Sequence, residues 1–364
     1  MSGADIAFFG SSLVSAYWNG AATYYRGIIR ELHERGHRVT FYEPDIFDRL
    51  RHRDIADPEW CRVVVYADDD DSCRRALDAA RGADLVVKTS GVGARDELLE
   101  REVLGLKRDG NLIAFWDVDA PATLDRVAAD PQDAFRACVP RYDLVLTYGG
   151  GQPVIDAYRA LGARECVPVY NAFDHTTHHP VARDPRFACD LAFLGNRLPD
   201  REARVESFFL AAAARLPERR FLIGGSGWED KAMPANVRRL GHVATADHNA
   251  LNCGATAVLN ISRASMARYG FSPATRVFEA AGAAACIITD AWEGIELFLE
   301  PGREVLVAED GEAVAGHVEA LDPARARTIG REARRRVLSE HTYAHRGEQL
   351  AALLGDRLPS TRVA

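Results

Sequence analysis

"RYGFSPATRVFEAAGAAACIITD", residues 268–290, loads Ser272, Thr275, Arg276 and Glu279 onto a helix start, then runs through alanines into an apolar strand. Ser272 suits an N-cap and Pro273 the first helical position, so the helix is expected to begin there. The first N–H groups of a helix lack intrahelical partners and carry the positive end of its dipole, a combination that favours an anion such as a phosphate. Ser272 and Thr275 add hydroxyls, and Arg276 can fork onto a phosphate oxygen. Glu279 lies seven residues after Ser272, roughly 10 Å along the axis at about 1.5 Å per residue. That offset suits a nucleotide with its diphosphate at the helix start and its ribose at the carboxylate. The alternative is a capped helix with an Arg276–Glu279 i,i+3 ion pair. The alanines let the helix lie close to a sheet.

Outward from this block the chain alternates strands with helices. "DIAFFG" at 5–10 reads as a strand, "SSLVSAYWNG" as a loop, and "AATYYRGIIRELHERG" as an amphipathic helix with Tyr24, Ile28 and Leu32 on one stripe. Gly36 ends it, and "HRVTFYEPD" follows as a strand. "ADLVVKTSG", "GNLIAFWDVDAP" and "YDLVLTYGG" repeat the pattern, as do "DLAFLGN", "RRFLIGGSG", "VRRLGHV", "TAVLNIS", "ACIITD" and "EVLVAED" in the second half. Apolar strands ending in polar or glycine residues predict parallel sheets covered on both faces. The stretch 167–190 breaks this rhythm with three prolines and three histidines. The expected division is a first Rossmann-like domain over 1–170, a linker over 171–189, a second Rossmann-like domain over 190–340, and a helix over 341–364 crossing back to the first. The fold class is α/β, two doubly wound domains facing a central cleft, with ligands at the strand carboxyl ends.

At 364 residues, two domains are the default. A net charge of −8 argues against general nucleic-acid binding. Seven scattered cysteines without a CxxC pair fit reduced thiols and no zinc site. With no basic, apolar leader and no spanning run, a cytoplasmic protein without an integral membrane segment is expected. His175, His178 and His179 are read as linker turn residues, and no metal is expected.

Candidate chemistry falls on the loops after strands. In the second half these are Gly195, Asn196 and Arg197, then Gly225 and Ser226 in a glycine-rich turn, then His242 and Val243. Neither half carries GxGxxG after its first strand, which disfavours a nicotinamide dehydrogenase. In the first half, Tyr17 and Trp18 offer flat aromatic faces to a ligand, and Asn19–Gly20 precede a helix. Trp116, Asp117 and Asp119 sit at the end of a strand, and Asp119 is the candidate general base.

The second half resembles the carboxy-terminal domain of GT-B glycosyltransferases, in particular the CgeB-like (spore maturation protein) branch. The matching residues are "FLGNRLPDREARVE", "LGHV", and above all "GFSPATRVFEAAGAAACIITD" followed by "GIELFLEPGREVLVAED". "SAYWNGAATYYRGIIRELHERGHRVTFYEPD", "FWDVDAPATL" and "YNAFDHTTHHP" are similar too. The resemblance implies transfer of a sugar from a nucleoside-diphosphate sugar to an acceptor hydroxyl without a metal or other cofactor. UDP is the expected nucleotide, with GDP and dTDP as alternatives. In related retaining enzymes a helix-borne glutamate holds the ribose, and Glu279 matches it. The chain departs from that pattern where a second glutamate normally precedes Gly-Phe: Tyr269 stands before Gly270–Phe271, and the spacing to Glu279 is two residues longer. Arg276 would stabilise the leaving diphosphate and Asp119 take the acceptor proton. Other readings are a nucleotide-sugar epimerase or hydrolase of this architecture, and a noncatalytic nucleotide-sugar binder.

Overall fold

The computed structural model describes residues 3–17, 19–355 and 357–358. It divides into two compact units, one reaching Tyr170 and resuming at Tyr343, the other spanning Asn171–Thr342. The stretch read as a linker, 171–189, therefore lies within the second unit. The basic helical tail is two helices, Pro323–Glu340 in the second unit and Tyr343–Leu354 in the first.

The first unit is built on strands β1 (Asp5–Phe9), β2 (Arg38–Pro44), β3 (Arg62–Tyr66), β4 (Leu85–Thr89), β5 (Leu112–Asp117), β6 (Leu144–Thr147) and β7 (Cys166–Pro168). They form one parallel sheet in the order β3-β2-β1-β4-β5-β6-β7, with Phe8 registered against Phe41 and Val87. β4 and β6 are buried along their whole length, as an apolar run flanked by helices on both faces requires. Lys88 is the charged exception inside β4. It is tolerated because its Nζ donates to Asp96 at 2.6 Å and lies 3.4 Å from Glu100. Helix Ala22–Glu34 buries Tyr24, Tyr25, Ile28, Ile29 and Leu32, the stripe expected from its period.

The second unit carries β8 (Cys189–Leu194), β9 (Phe221–Gly224), β10 (Val237–Gly241), β11 (Ala255–Asn260), β12 (Ile287–Asp290) and β13 (Leu306–Ala308). Its parallel order, β10-β9-β8-β11-β12-β13, reverses direction between β8 and β11. The first unit reverses in the same way between β1 and β4. Such a switch point leaves a crevice beyond the strand carboxyl ends, where doubly wound sheets bind ligands. Among the described residues no helix is long and apolar enough to cross a membrane.

Candidate functional site

In the second unit the helix of the opening stretch runs over Thr275–Gly282 with Ala274 as its N-cap. This corrects the expected start: Ser272 and Pro273 lie in the turn before the helix, and Ser272 does not cap it. The turn is fixed from outside. Gly270 and Phe271 both have positive φ, and the Phe271 amide donates to the Glu293 carbonyl at 2.6 Å. The 10 Å offset reckoned for a continuous helix from Ser272 therefore does not apply. Thr275 is held by Asn171, whose Nδ2 donates to its hydroxyl at 2.5 Å.

Arg276 and Glu279 do not pair, so the bland ion-pair alternative fails as well. Arg276 Nη1 is buried without a hydrogen-bond partner, and so is Ser272 Oγ. Burial lowers the pKa of Arg276, opposed by the charge of Glu279. Glu279 is only 7% exposed, and its ionic contact is His178 Nε2 at 3.6 Å. Burial alone would raise its carboxyl; His178, His248 and Arg276 together outweigh burial and hold it below the usual glutamate range. His248, in turn, is pushed by burial from the ordinary 6.5 to about 4, so it is neutral at physiological pH. Its Nδ1 is buried without a partner.

His178 reaches Glu279 because of a missing side chain. A Cβ on Gly282 would meet the Phe173 ring at 2.7 Å and His178 Cβ at 3.3 Å. The small face of the helix thus admits the segment after Asn171 as well as the sheet. Sequence reading missed both histidines. His178 sat in a stretch without helical period, and His248 had no motif around it. Three residues at 178, 248 and 279 share no spacing rule, so only the tertiary fold brings them together.

The other second-unit candidates form a separate frame. Gly195 N donates to Gly224 O at 2.9 Å, Ser226 N to Asn196 Oδ1 at 3.0 Å, and Arg197 N to Ser226 O at 2.9 Å. A Cβ on Gly225, where φ is +118°, would lie 2.2 Å from Gly195 O, so only glycine allows these two loops to zip together. The Arg197 guanidinium is already engaged by Asp230 at 2.8 Å and Glu202 at 2.7 Å. The side chain expected to contact the donor is thus occupied by two carboxylates of its own unit. Asp200 continues the frame to the loop after β11: it accepts from Arg263 Nε at 2.6 Å and, through its carbonyl, from Ala264 N at 3.1 Å. His242 is exposed, whereas Val243 is buried and its backbone hydrogen-bonds the His248 ring.

In the first unit several acceptor candidates turn out to be framework. Trp116 is 2% exposed, and its Nε1 donates to Tyr24 Oη at 3.1 Å. Asp117 is fully buried, accepting from Asp119 N at 3.0 Å, Thr123 Oγ1 at 3.1 Å and Tyr158 Oη. Asn19 is buried and ties its own loop together, accepting from Ser11 Oγ and donating to the carbonyls of Ser12 and Ser15. None of the three offers a face to a ligand. Asp119 is half-buried at the N-cap of helix Ala120–Ala129, without a side-chain cap bond. Tyr17 is 39% exposed and stacks on His52 with ring centroids 4.0 Å apart, and Gly20 is exposed. Trp18 lies outside the described residues.

The two parallel, doubly wound units are those of a GT-B fold. The profile of a family described as "Glycosyl transferase-like" matches residues 201–352. The chain is similar to sucrose-phosphate synthase from Thermosynechococcus elongatus, with 15% identity, a TM-score of 0.72, and 97% of this chain and 98% of that one covered. It is similar to the Anabaena protein HepE, solved in complex with UDP and glucose, with 15% identity, a TM-score of 0.72, and 97% and 100% covered. A third structure, from E. coli and described as trehalose-6-phosphate bound with UDP-2-fluoro glucose, shares 10% identity, a TM-score of 0.68, and 96% and 98% coverage. No curated protein sequence matches the chain. These structures share the fold of this chain, and the profile match falls mostly on its second unit.

Proposed function

We propose that this chain transfers a sugar from a nucleoside-diphosphate sugar, with UDP as the first nucleotide to test, to an acceptor hydroxyl. The donor lies on the second unit, its diphosphate at the start of helix Thr275–Gly282 and its ribose at Glu279. One observation carries this reading: Arg276 Nη1 and Ser272 Oγ are buried without partners beside a buried carboxylate. Leaving such donors unsatisfied costs about 1–3 kcal/mol each, a cost that a diphosphate oxygen would remove. The solved structures holding UDP, or a UDP sugar, in the same fold support this class of donor.

The chemistry follows from where charge develops. Breaking the anomeric bond leaves a diphosphate whose new charge needs oriented donors. The Arg276 guanidinium, the Ser272 hydroxyl and the helix N-terminus supply them, so the reaction runs without a metal. On the first unit, Asp119 takes the acceptor proton if configuration inverts, and binds acceptor if it is retained. Tyr17 and Gly20 are the acceptor-side positions left at the surface. The quoted blocks favour the CgeB-like branch within the GT-B class.

The test is calorimetric titration of UDP together with turnover of UDP-, GDP- and dTDP-sugars, with and without acceptors. Arg276→Ala is expected to weaken UDP binding by about 2 kcal/mol, roughly thirtyfold, with thermal unfolding unchanged. Turnover is expected to persist in EDTA. UDP affinity unaltered by Arg276→Ala would remove this helix start from the site.

A further inference from the structure

We infer that the first unit holds a site for an anionic group of the acceptor, a phosphate or a carboxylate, taken by the free edge of Arg49 where the loops after β1, β2 and β4 meet. Calling the ligand the acceptor rests on the transferase reading above; the anion site itself is read from the first unit alone.

Arg49 follows two residues, Phe47 and Asp48, that both stand in the left-handed region, at φ +56° and +53°. Side chains of L-residues disfavour that region, and it recurs at functional sites. Arg49 itself is 5% exposed. Among the described residues its hydrogen bonds leave from Nη1, to the carbonyls of Ser11 at 2.9 Å and Val92 at 3.4 Å. Ser11 follows β1 and Val92 follows β4, the two strands between which the sheet reverses its order. The guanidinium therefore sits at the switch point, where doubly wound sheets take ligands. Its Nε is buried without a partner. In an arginine, Nε and Nη2 form an edge that grips two oxygens side by side. Arg38 spends that edge on Asp5, at 2.7 Å and 2.8 Å. Arg49 has it left over, and among the described residues no carboxylate pairs with it. Glu43 acts on it through space, and gives its own oxygens to Ser12 Oγ at 3.1 Å and Leu13 N at 2.6 Å. A buried cation without a paired oxyanion is costly, and a bound oxyanion removes that cost.

Phe47 covers the fork. Its ring centroid lies 5.1 Å from the guanidinium carbon. Gly93 leaves room for the ring, since a Cβ there would fall 3.0 Å from Phe47 Cε2. Yet Phe47 is 58% exposed, so its ring gives up little packing when it turns aside for an anion. The same loops carry Tyr17 stacked on His52, and Ser15 Oγ donates to His52 O at 2.8 Å. Arg49 and His52 are the two ends of one 3-10 turn, about 6 Å apart along its axis at about 2 Å per residue. An acceptor ring on Tyr17 thus has its anionic substituent within reach of Arg49.

The test is hydrogen exchange of the full chain with increasing inorganic phosphate, glucose 6-phosphate, glucuronate or glucose, with UDP titrated separately. The three anions are expected to protect residues 45–54 and 90–95 at concentrations about tenfold or more below that of glucose. Glucose 6-phosphate against glucuronate tells a phosphate from a carboxylate. Arg49→Lys keeps the charge but not the fork. It is expected to raise the half-protecting concentration of each anion about tenfold, with UDP affinity unchanged. Should this variant fail to fold, the wild-type preference and the place of protection still decide. Anions that protect these loops no better than glucose, or protect only the second unit, overturn the site. So does a preference that survives intact in Arg49→Lys. Anion protection of these loops without UDP binding removes the donor reading and leaves the anion site; UDP binding without that protection does the reverse.

Discussion

At the scale of single residues, charge is set by neighbours rather than by type. Burial drives the pKa of the His248 imidazole down to about 4. The consequence for stability has a definite sign. A histidine held neutral in the fold but free to protonate at 6.5 when unfolded binds fewer protons in the native state as pH falls. Its burial is therefore without cost above pH 6.5 and is increasingly unfavourable down to about pH 4, by up to about 3 kcal/mol. Glu279 acts in a lower window. Its depressed carboxyl adds stability above the usual glutamate range, which is lost only as pH drops through the folded value. Chemical denaturation between pH 7 and 4.5 should show the second unit losing stability, and His248→Phe should flatten that slope. An identical slope in the variant would mean that His248 is not held neutral.

At the scale of elements, the helix Thr275–Gly282 owes its position to what it lacks. Val277, Phe278, Ala280 and Ala281 are buried, while Gly282 admits Phe173 and His178. Its last carbonyl also receives Arg334 Nε at 3.2 Å, from helix Pro323–Glu340. Adding one methyl at Gly282 forces the ring of Phe173 to give way. Gly282→Ala is expected to destabilise the second unit by about 1–3 kcal/mol. It should also weaken UDP binding by displacing His178 from Glu279, which calorimetry would register. Unchanged thermal unfolding would show that the segment after Asn171 is not packed against this helix. The loops after β8 and β9 teach the same lesson: Gly225 exists where it does because Gly195 O occupies the space of its missing Cβ.

At the scale of the whole molecule, the first unit is closed by residues from the far end of the chain. Tyr343 packs on Gly27, where a Cβ would lie 2.3 Å from its ring. Arg346 Nε donates to Tyr170 O at 2.9 Å, and Gln349 Nε2 to Pro168 O at 2.8 Å. Helix Tyr343–Leu354 therefore covers one side of helix Ala22–Glu34 and the end of β7. Ending the chain after Thr342 should uncover that face and raise hydrogen exchange throughout Ala22–Glu34, while the second unit keeps its protection. Equal protection of Ala22–Glu34 in the shortened chain would show that the tail adds nothing to the first unit.

Local pattern alone determined the alternation of strands and helices, the parallel sheets, the stripe of helix Ala22–Glu34, and the cluster of Arg276 and Glu279 on one helix. Each depends on periodicity or on neighbours a few residues apart, and that information is written along the chain. Tertiary structure alone decided which polar groups remain for a ligand. Trp116, Asp117 and Asn19 read as site residues because they end strands or fill loops, but Tyr24, Tyr158 and Ser11 consume their hydrogen bonds from elsewhere in the chain. Arg197 is spent on Asp230 and Glu202 in the same way. Conversely, His178 and His248 acquire meaning only beside Glu279. A residue's availability is what its distant partners leave over, and those partners are chosen by packing across the sheet and its helices, which no local spacing records.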